Sequence, residues 1–180
     1  MQTTLPRPQT DNRPRIYVAC LAAYNNGILH GAWIDANQEP WAIWDAIRAM
    51  LAASPIPGAE EHAIHDYEGF GSVRMGEYTG ISEVAALAAF IAEHEELGAA
   101  LLDHFDNDLE EAREAIAERY HGRHASLTDY MQELIEETTP IPANLRFYVD
   151  YEAMARDAEL NGDFFTIELT HGDVHVFGAC

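Results

Sequence analysis

The chain has 180 residues in which 31 Asp and Glu face ten cations, all of them arginine, giving a formal charge of −21 with no lysine anywhere. Ten scattered arginines cannot offset 31 carboxylates against a polyanion, which excludes direct DNA or RNA binding. The missing lysine excludes a P-loop lysine, a Schiff base and a pyridoxal anchor, while 48% apolar residues can support a core that a disordered acidic polymer lacks.

Residues 1–14 hold three prolines and are expected to form a flexible leader. "RIYVACLA" from Arg15 predicts a buried strand, "NNG" at Asn25–Gly27 a turn, and Gly31–Ala36 a second strand. Pro40 opens a helix to about Ala53, with Trp41, Trp44, Ile47 and Leu51 at helical spacing. "SPIPG" (Ser54–Gly58) ends it, and Ala63–Tyr67 predicts a third strand. These complete an N-terminal α+β domain over 15–68 that carries Glu60, Glu61, Asp66 and Glu68.

A central helical domain is expected over 69–107. Its glycine-rich loop, Gly69–Gly80, contains Glu77. Ser82 is placed as the N-cap of a helix through Ala92, with Glu83 in its first turn and Val84, Leu87, Ala88 and Ile91 inward. Glu93, Glu95 and Glu96 follow, then a short helix over Leu97–Phe105 that bears Asp103.

The C-terminal α+β domain is expected over 108–180. Asp108 caps a helix with Glu111 at its third position, running to Tyr120 before "HGRH" stops it. Ser126 and Asp129 make a capping box for a helix to about Glu137, and "TTPIP" breaks it. The tail reads as strand Leu145–Val149, helix Tyr151–Asn161, strand Phe164–Leu169, an "HGD" turn and strand Val174–Phe177. The expected class is α+β, an elongated chain of small domains with short antiparallel sheets at the ends and a helical acidic middle.

From Glu60 to Glu137 there are twenty carboxylates and four arginines, roughly three quarters of the excess charge. On the helix after Asp108, Leu109, Ala112, Ile116 and Tyr120 mark the buried stripe. Glu111, Glu114 and Glu118 form an acidic ridge beside Glu110, flanked by Asp103 and Asp106 before it and Glu133, Glu136 and Glu137 after it. Neighbouring carboxylates on such a ridge repel by a few tenths of a kcal/mol. A fold that accepts this cost over consecutive elements has a use for the field, and strongly basic grooves are its obvious targets. A solvated or salt-adapted outer face is the competing reading. Two copies, at twice −21, would match the charge of roughly 70 Å of duplex at one charge per about 1.7 Å.

No GxSxG, HExxH or Cys/His zinc spacing occurs, and "DNDLEE" fails the calcium-loop template at Glu111 and Ala117. The pairs His62/His65, His121/His124 and His171/His175 have ligand-like spacing but read as surface or packing residues, so neither metal nor cofactor is expected and the chain is not expected to be an enzyme. Only Ile16–Ala19 separate Cys20 from the Pro- and Arg-rich lead, too short for a signal sequence, and no apolar run approaches the roughly 20 residues of a membrane span. Two cysteines without CxxC spacing, Cys20 and Cys180, fit a reduced, cytoplasmic protein.

In order along the chain, "IYVACLAAYNNGILHGAWIDA", "AIHDYEGFG", "LLDHFDNDLEEAREAIAERYHG" and "FYVDYEAMARDAELNGDFF" resemble the ArdA antirestriction proteins of plasmids and conjugative transposons. The likeness covers about 165 residues, and Asp106–Gly122 looks like the family's antirestriction motif. It implies a DNA mimic: a curved homodimer of three small domains per chain that occupies the DNA groove of type I restriction-modification enzymes. It also implies that Leu109, Ile116 and Tyr120 pack near the dimer interface. The leader, with Arg7, Arg13 and Arg15, and the His-rich "HGRH" depart from the family pattern. An acidic adaptor for another basic DNA-binding protein remains an alternative, as does a metal-dependent hydrolase built on carboxylates and histidines.

Overall fold

Alternation along Arg15–Cys20 (β1) buries Ile16, Val18 and Cys20, all fully, on one face of a three-stranded antiparallel sheet. β1 lies in the middle, between Gly31–Asp35 (β2) and His62–Glu68 (β3). The computed structural model describes residues 12–179, and the chain divides after Ala99 into two compact units. Of the expected leader, only residues 12–14 fall within the described part, and Pro14 C=O accepts from the Ala36 amide at 2.9 Å.

A five-residue helix, Leu21–Asn25 (α1), takes over where a continuing strand was expected. Pro40–Ala52 (α2) covers the sheet with Ile43, Ile47 and Met50. Burial of each large aliphatic there contributes about 1.5–3 kcal/mol. The buried stripe is therefore not the one running through Trp41, Trp44 and Leu51: Trp41 is 66% exposed and Trp44 38%. Gly31 is required by close approach, since a Cβ there would sit 2.5 Å from the Val18 carbonyl oxygen and 2.7 Å from the Tyr17 ring.

The loop after β3 anchors Phe70 and Val73 in the interior. The helix Ile81–His104 (α3) follows. The Gly80 carbonyl accepts from the Val84 amide at 2.9 Å, so the helix starts before Ser82, which lies inside it rather than capping it. At Glu95 the backbone leaves helical geometry (φ 53°, ψ −133°) and kinks α3, so the expected break is present as a single strained residue.

In the second unit, Leu109–Glu118 (α4) starts as expected: the Asp108 carboxylate accepts from the amides of Glu110 and Glu111 at 3.0 and 3.1 Å. It ends before Tyr120, however. Tyr120–His124, "YHGRH", is a strand (β4) rather than a helix stop. It pairs with Asp173–Gly178 (β6), which also pairs with Phe164–Thr170 (β5), giving the antiparallel order β4-β6-β5. The Ser126–Asp129 capping box forms, with Oγ to Oδ2 at 2.7 Å and Asp129 N to Oγ at 3.1 Å, and opens Leu127–Thr138 (α5). Tyr151–Asn161 (α6) has the expected bounds. The predicted strand Leu145–Val149 is absent; Arg146–Tyr148 is a single 3-10 turn with Phe147 94% exposed.

One face of this second sheet packs Val174 and Val176 against Tyr130 and Met131 of α5 and Ala155 and Ala158 of α6. The other face is aromatic: Phe165 stacks on Phe177 at 5.0 Å and on His104 at 4.5 Å. The class is α+β with two short antiparallel sheets, as the sequence implied.

Candidate functional site

The α-helical period sends the charges of α4 outward because Ala112 and Ala115, both fully buried, hold the opposite face. Glu110, Glu114 and Glu118 are exposed and recur every four residues, one carboxylate per about 6 Å of helix axis. The fourth member of the expected ridge behaves differently. Glu111 is half-buried, and its Oε2 receives the Arg119 guanidinium at 2.9 Å, while Arg119, only 10% exposed, also donates to the Glu111 carbonyl and lies over the Phe105 ring. Glu111 is thus part of the scaffold.

On α5 the buried Tyr130 and Met131 leave Asp129, Glu133, Glu136 and Glu137 exposed. Asp129 is committed to its cap, Gln132 donates to Glu136 at 3.0 Å, and His124 Nδ1 lies 3.4 Å from Glu133. Along α3, Glu83, Glu93, Glu95, Glu96 and Asp103 are exposed, and so are Asp106 and Asp108 in the turn that follows. In the first unit Glu60, Glu61 and Asp66 lie exposed on or just before β3, Glu77 in the loop after it, and Glu68 pairs with Arg15 at 2.6 Å.

Nineteen of the twenty expected acidic residues are therefore exposed, and among the described residues no charged side chain is buried. Of the twenty, Glu68 is paired with Arg15 and Glu111 with Arg119. A field that is neither desolvated nor neutralised reaches past the surface over about one Debye length, near 8 Å at physiological salt. Such a surface can hold a dense cationic face of another macromolecule.

Of the three expected packing residues, Leu109 and Ile116 are half-buried on α4, whereas Tyr120 lies on β4. Its ring stacks on His175, and the two side chains share a 2.7 Å hydrogen bond between the phenol oxygen and Nδ1. Asp173 lies 3.5 Å from His175 Nε2 and 2.5 Å from Arg123 Nε. Burial lowers the His175 pKa, with Asp173 opposing and Arg123 assisting, and burial raises that of Tyr120. These groups brace the sheet that carries α4 and α5.

Sequence reasoning stopped at Glu137, and the structure extends the acidic surface beyond it. Asp150, Glu152, Asp157, Glu159 and Asp163 are all exposed in and around α6, whose Ala155 and Ala158 face inward. The signal was there in "DAELNGD", with the same polar-outward spacing as α4. The exposed indoles Trp41 and Trp44 were missed because their spacing reads equally well as core.

Among the described residues no helix is long and apolar enough to cross a membrane, and no group of three His, Cys, Asp or Glu side chains has metal-ligand geometry. No curated protein matches the chain. The family model for the antirestriction protein ArdA matches residues 16–172, from the first strand through β5 and including every acidic helix. The chain belongs to the ArdA antirestriction protein family.

Proposed function

We propose that this protein is a DNA mimic that inhibits type I restriction-modification enzymes by occupying their DNA-binding groove. The observation that carries this reading is the state of the carboxylates: nineteen of twenty between Glu60 and Glu137 are exposed, on a chain with no lysine to neutralise them. A groove built to neutralise phosphates supplies the arginine and lysine that the inhibitor lacks. The protein acts as a cytoplasmic homodimer without catalysis, metal or cofactor, with three small domains per chain over 15–68, 69–107 and 108–180. Leu109, Ile116 and Tyr120 pack near the dimer interface. Family membership supports action against restriction, and the charge distribution supports competition with DNA as its route.

The test is kinetic. With a purified type I methyltransferase and a duplex bearing its site, raising the duplex concentration should restore methylation fully, the pattern of competition. Inhibition that persists at saturating duplex would refute the reading.

A further inference from the structure

The first unit already contains one arrangement in which a guanidinium is held by an indole and a carboxylate. Arg15 lies 5.0 Å over the Trp33 ring and pairs with Glu68 at 2.6 Å. The same components recur on α2 without the guanidinium. Trp41 and Trp44 are one helical turn apart, 66% and 38% exposed, and therefore neighbours on one face. The Trp44 ring meets His62 edge-on at 5.3 Å, which fixes this face beside the start of β3, where the exposed Glu60 and Glu61 immediately precede His62. Glu39, also exposed, adjoins Trp41 across Pro40. Arg48, the cation on α2, is engaged by Asp45. His62 is partly buried, and desolvation lowers its pKa, so it adds no positive charge to the patch.

Two indoles with an acidic rim are a poor surface to leave in water, and they are complementary to one chemistry. We propose that Trp41 and Trp44, rimmed by Glu39, Glu60 and Glu61, bind arginine side chains of the basic protein partner. The guanidinium lies on the indole face and pairs with the rim carboxylates. Arginine fits better than lysine because its planar, weakly hydrated head can stack and fork at once. The patch deepens the inhibitor reading and rests on it: the carboxylate surface supplies attraction that salt screens, and the indoles supply contact area that salt does not.

Two measurements test the proposal. In the first, the indole N–H resonances of the full chain are followed while capped tetra-arginine or capped tetra-lysine peptide is added. Trp41 and Trp44 should shift with the arginine peptide, several-fold more than with the lysine peptide, and Trp33, whose ring already holds the Arg15 guanidinium at 5.0 Å, should shift less than either. Equal response to both peptides, or no response, overturns the proposal. In the second, duplex is displaced from a type I methyltransferase by the wild type and by the double variant Trp41→Ala/Trp44→Ala, checked for an unchanged melting curve. The double variant should inhibit about tenfold less well, as loss of one to two cation–π contacts requires, with the same dependence on salt. Trp41→Phe/Trp44→Phe should recover part of the loss. An alanine variant as potent as wild type overturns the patch. A wild type that fails to displace duplex instead refutes the inhibitor reading and the role of the patch in it, while the peptide titration still decides whether the indoles bind guanidinium.

Discussion

Glu111 and Glu114 look interchangeable on a helical wheel, and the structure gives their replacement by glutamine opposite signs. Glu114 has Glu110 four residues before it and Glu118 four residues after it, all three exposed. Each such like-charged pair costs a few tenths of a kcal/mol, so Glu114→Gln removes two and should stabilise the protein by about 0.5–1 kcal/mol. Glutamate and glutamine have nearly equal helix propensity, so little else changes. Glu111 instead receives Arg119 at 2.9 Å, and that guanidinium is only 10% exposed. Glu111→Gln replaces an ion pair by a bond from a charged donor to a neutral amide, beside a poorly solvated cation, and should cost about 1–2 kcal/mol. For a chain of this size, 1 kcal/mol moves Tm by about 2–4 °C. Thermal melting by circular dichroism at low salt should therefore show Glu114→Gln above wild type and Glu111→Gln below it. In 1 M salt, where the Debye length is about 3 Å, the Glu114→Gln gain should shrink towards zero while the Glu111→Gln loss largely persists. Shifts of the same sign at low salt would refute the distinction between surface and scaffold carboxylates.

Further outcomes follow from local geometry. Asp108→Ala removes the acceptor for two amides at the start of α4 and should cost about 0.5–2 kcal/mol, with Asp108→Asn restoring most of it; denaturant midpoints check this. Burial holds the His175 imidazole below its ordinary value, so the unfolded chain binds more protons there than the folded one. That term makes stability fall as pH drops below about 6.5, and His175→Gln should flatten the dependence of Tm on pH between 7 and 5; an unchanged profile contradicts it. Glu95 holds the dihedral angles of the first central residue of a type II′ turn, a glycine position. Glu95→Gly should therefore raise Tm and Glu95→Ala should not, since the Cβ is the source of strain.

What the sequence disclosed was decided locally. The caps at Asp108 and Ser126, the helix over Tyr151–Asn161 and the three strands of the first sheet rest on neighbours within a few residues or on simple alternation. What it hid was decided at a distance. "YHGRH" has no alternation and only Tyr120 as a strand former, and it becomes β4 because β6 supplies a register for it, with a shift between Tyr120 and Gly122. "LRFYV" has the residues of a strand but no partner, and forms a 3-10 turn with Phe147 and Tyr148 exposed. On α2, two stripes at helical spacing compete, and the sheet takes Ile43, Ile47 and Met50, leaving the larger indoles outside. For the site, exposure of the carboxylates was legible because apolar residues claim the opposite faces of α4 and α5. The engagement of Glu111 was not, since its partner lies eight residues away, beyond the spacings at which a helix surface pairs.

The central claim is that these carboxylates take the place of a phosphate backbone in a basic groove. It is tested most directly by measuring the affinity of this protein for a type I methyltransferase from 50 to 500 mM salt, beside that of duplex DNA for the same enzyme. Mimicry predicts that log affinity falls steeply and linearly with log salt for both, and that replacing Glu110, Glu114 and Glu118 together by glutamine lowers the slope for the protein. Tight binding with a flat salt dependence, left unchanged by that triple substitution, would contradict it.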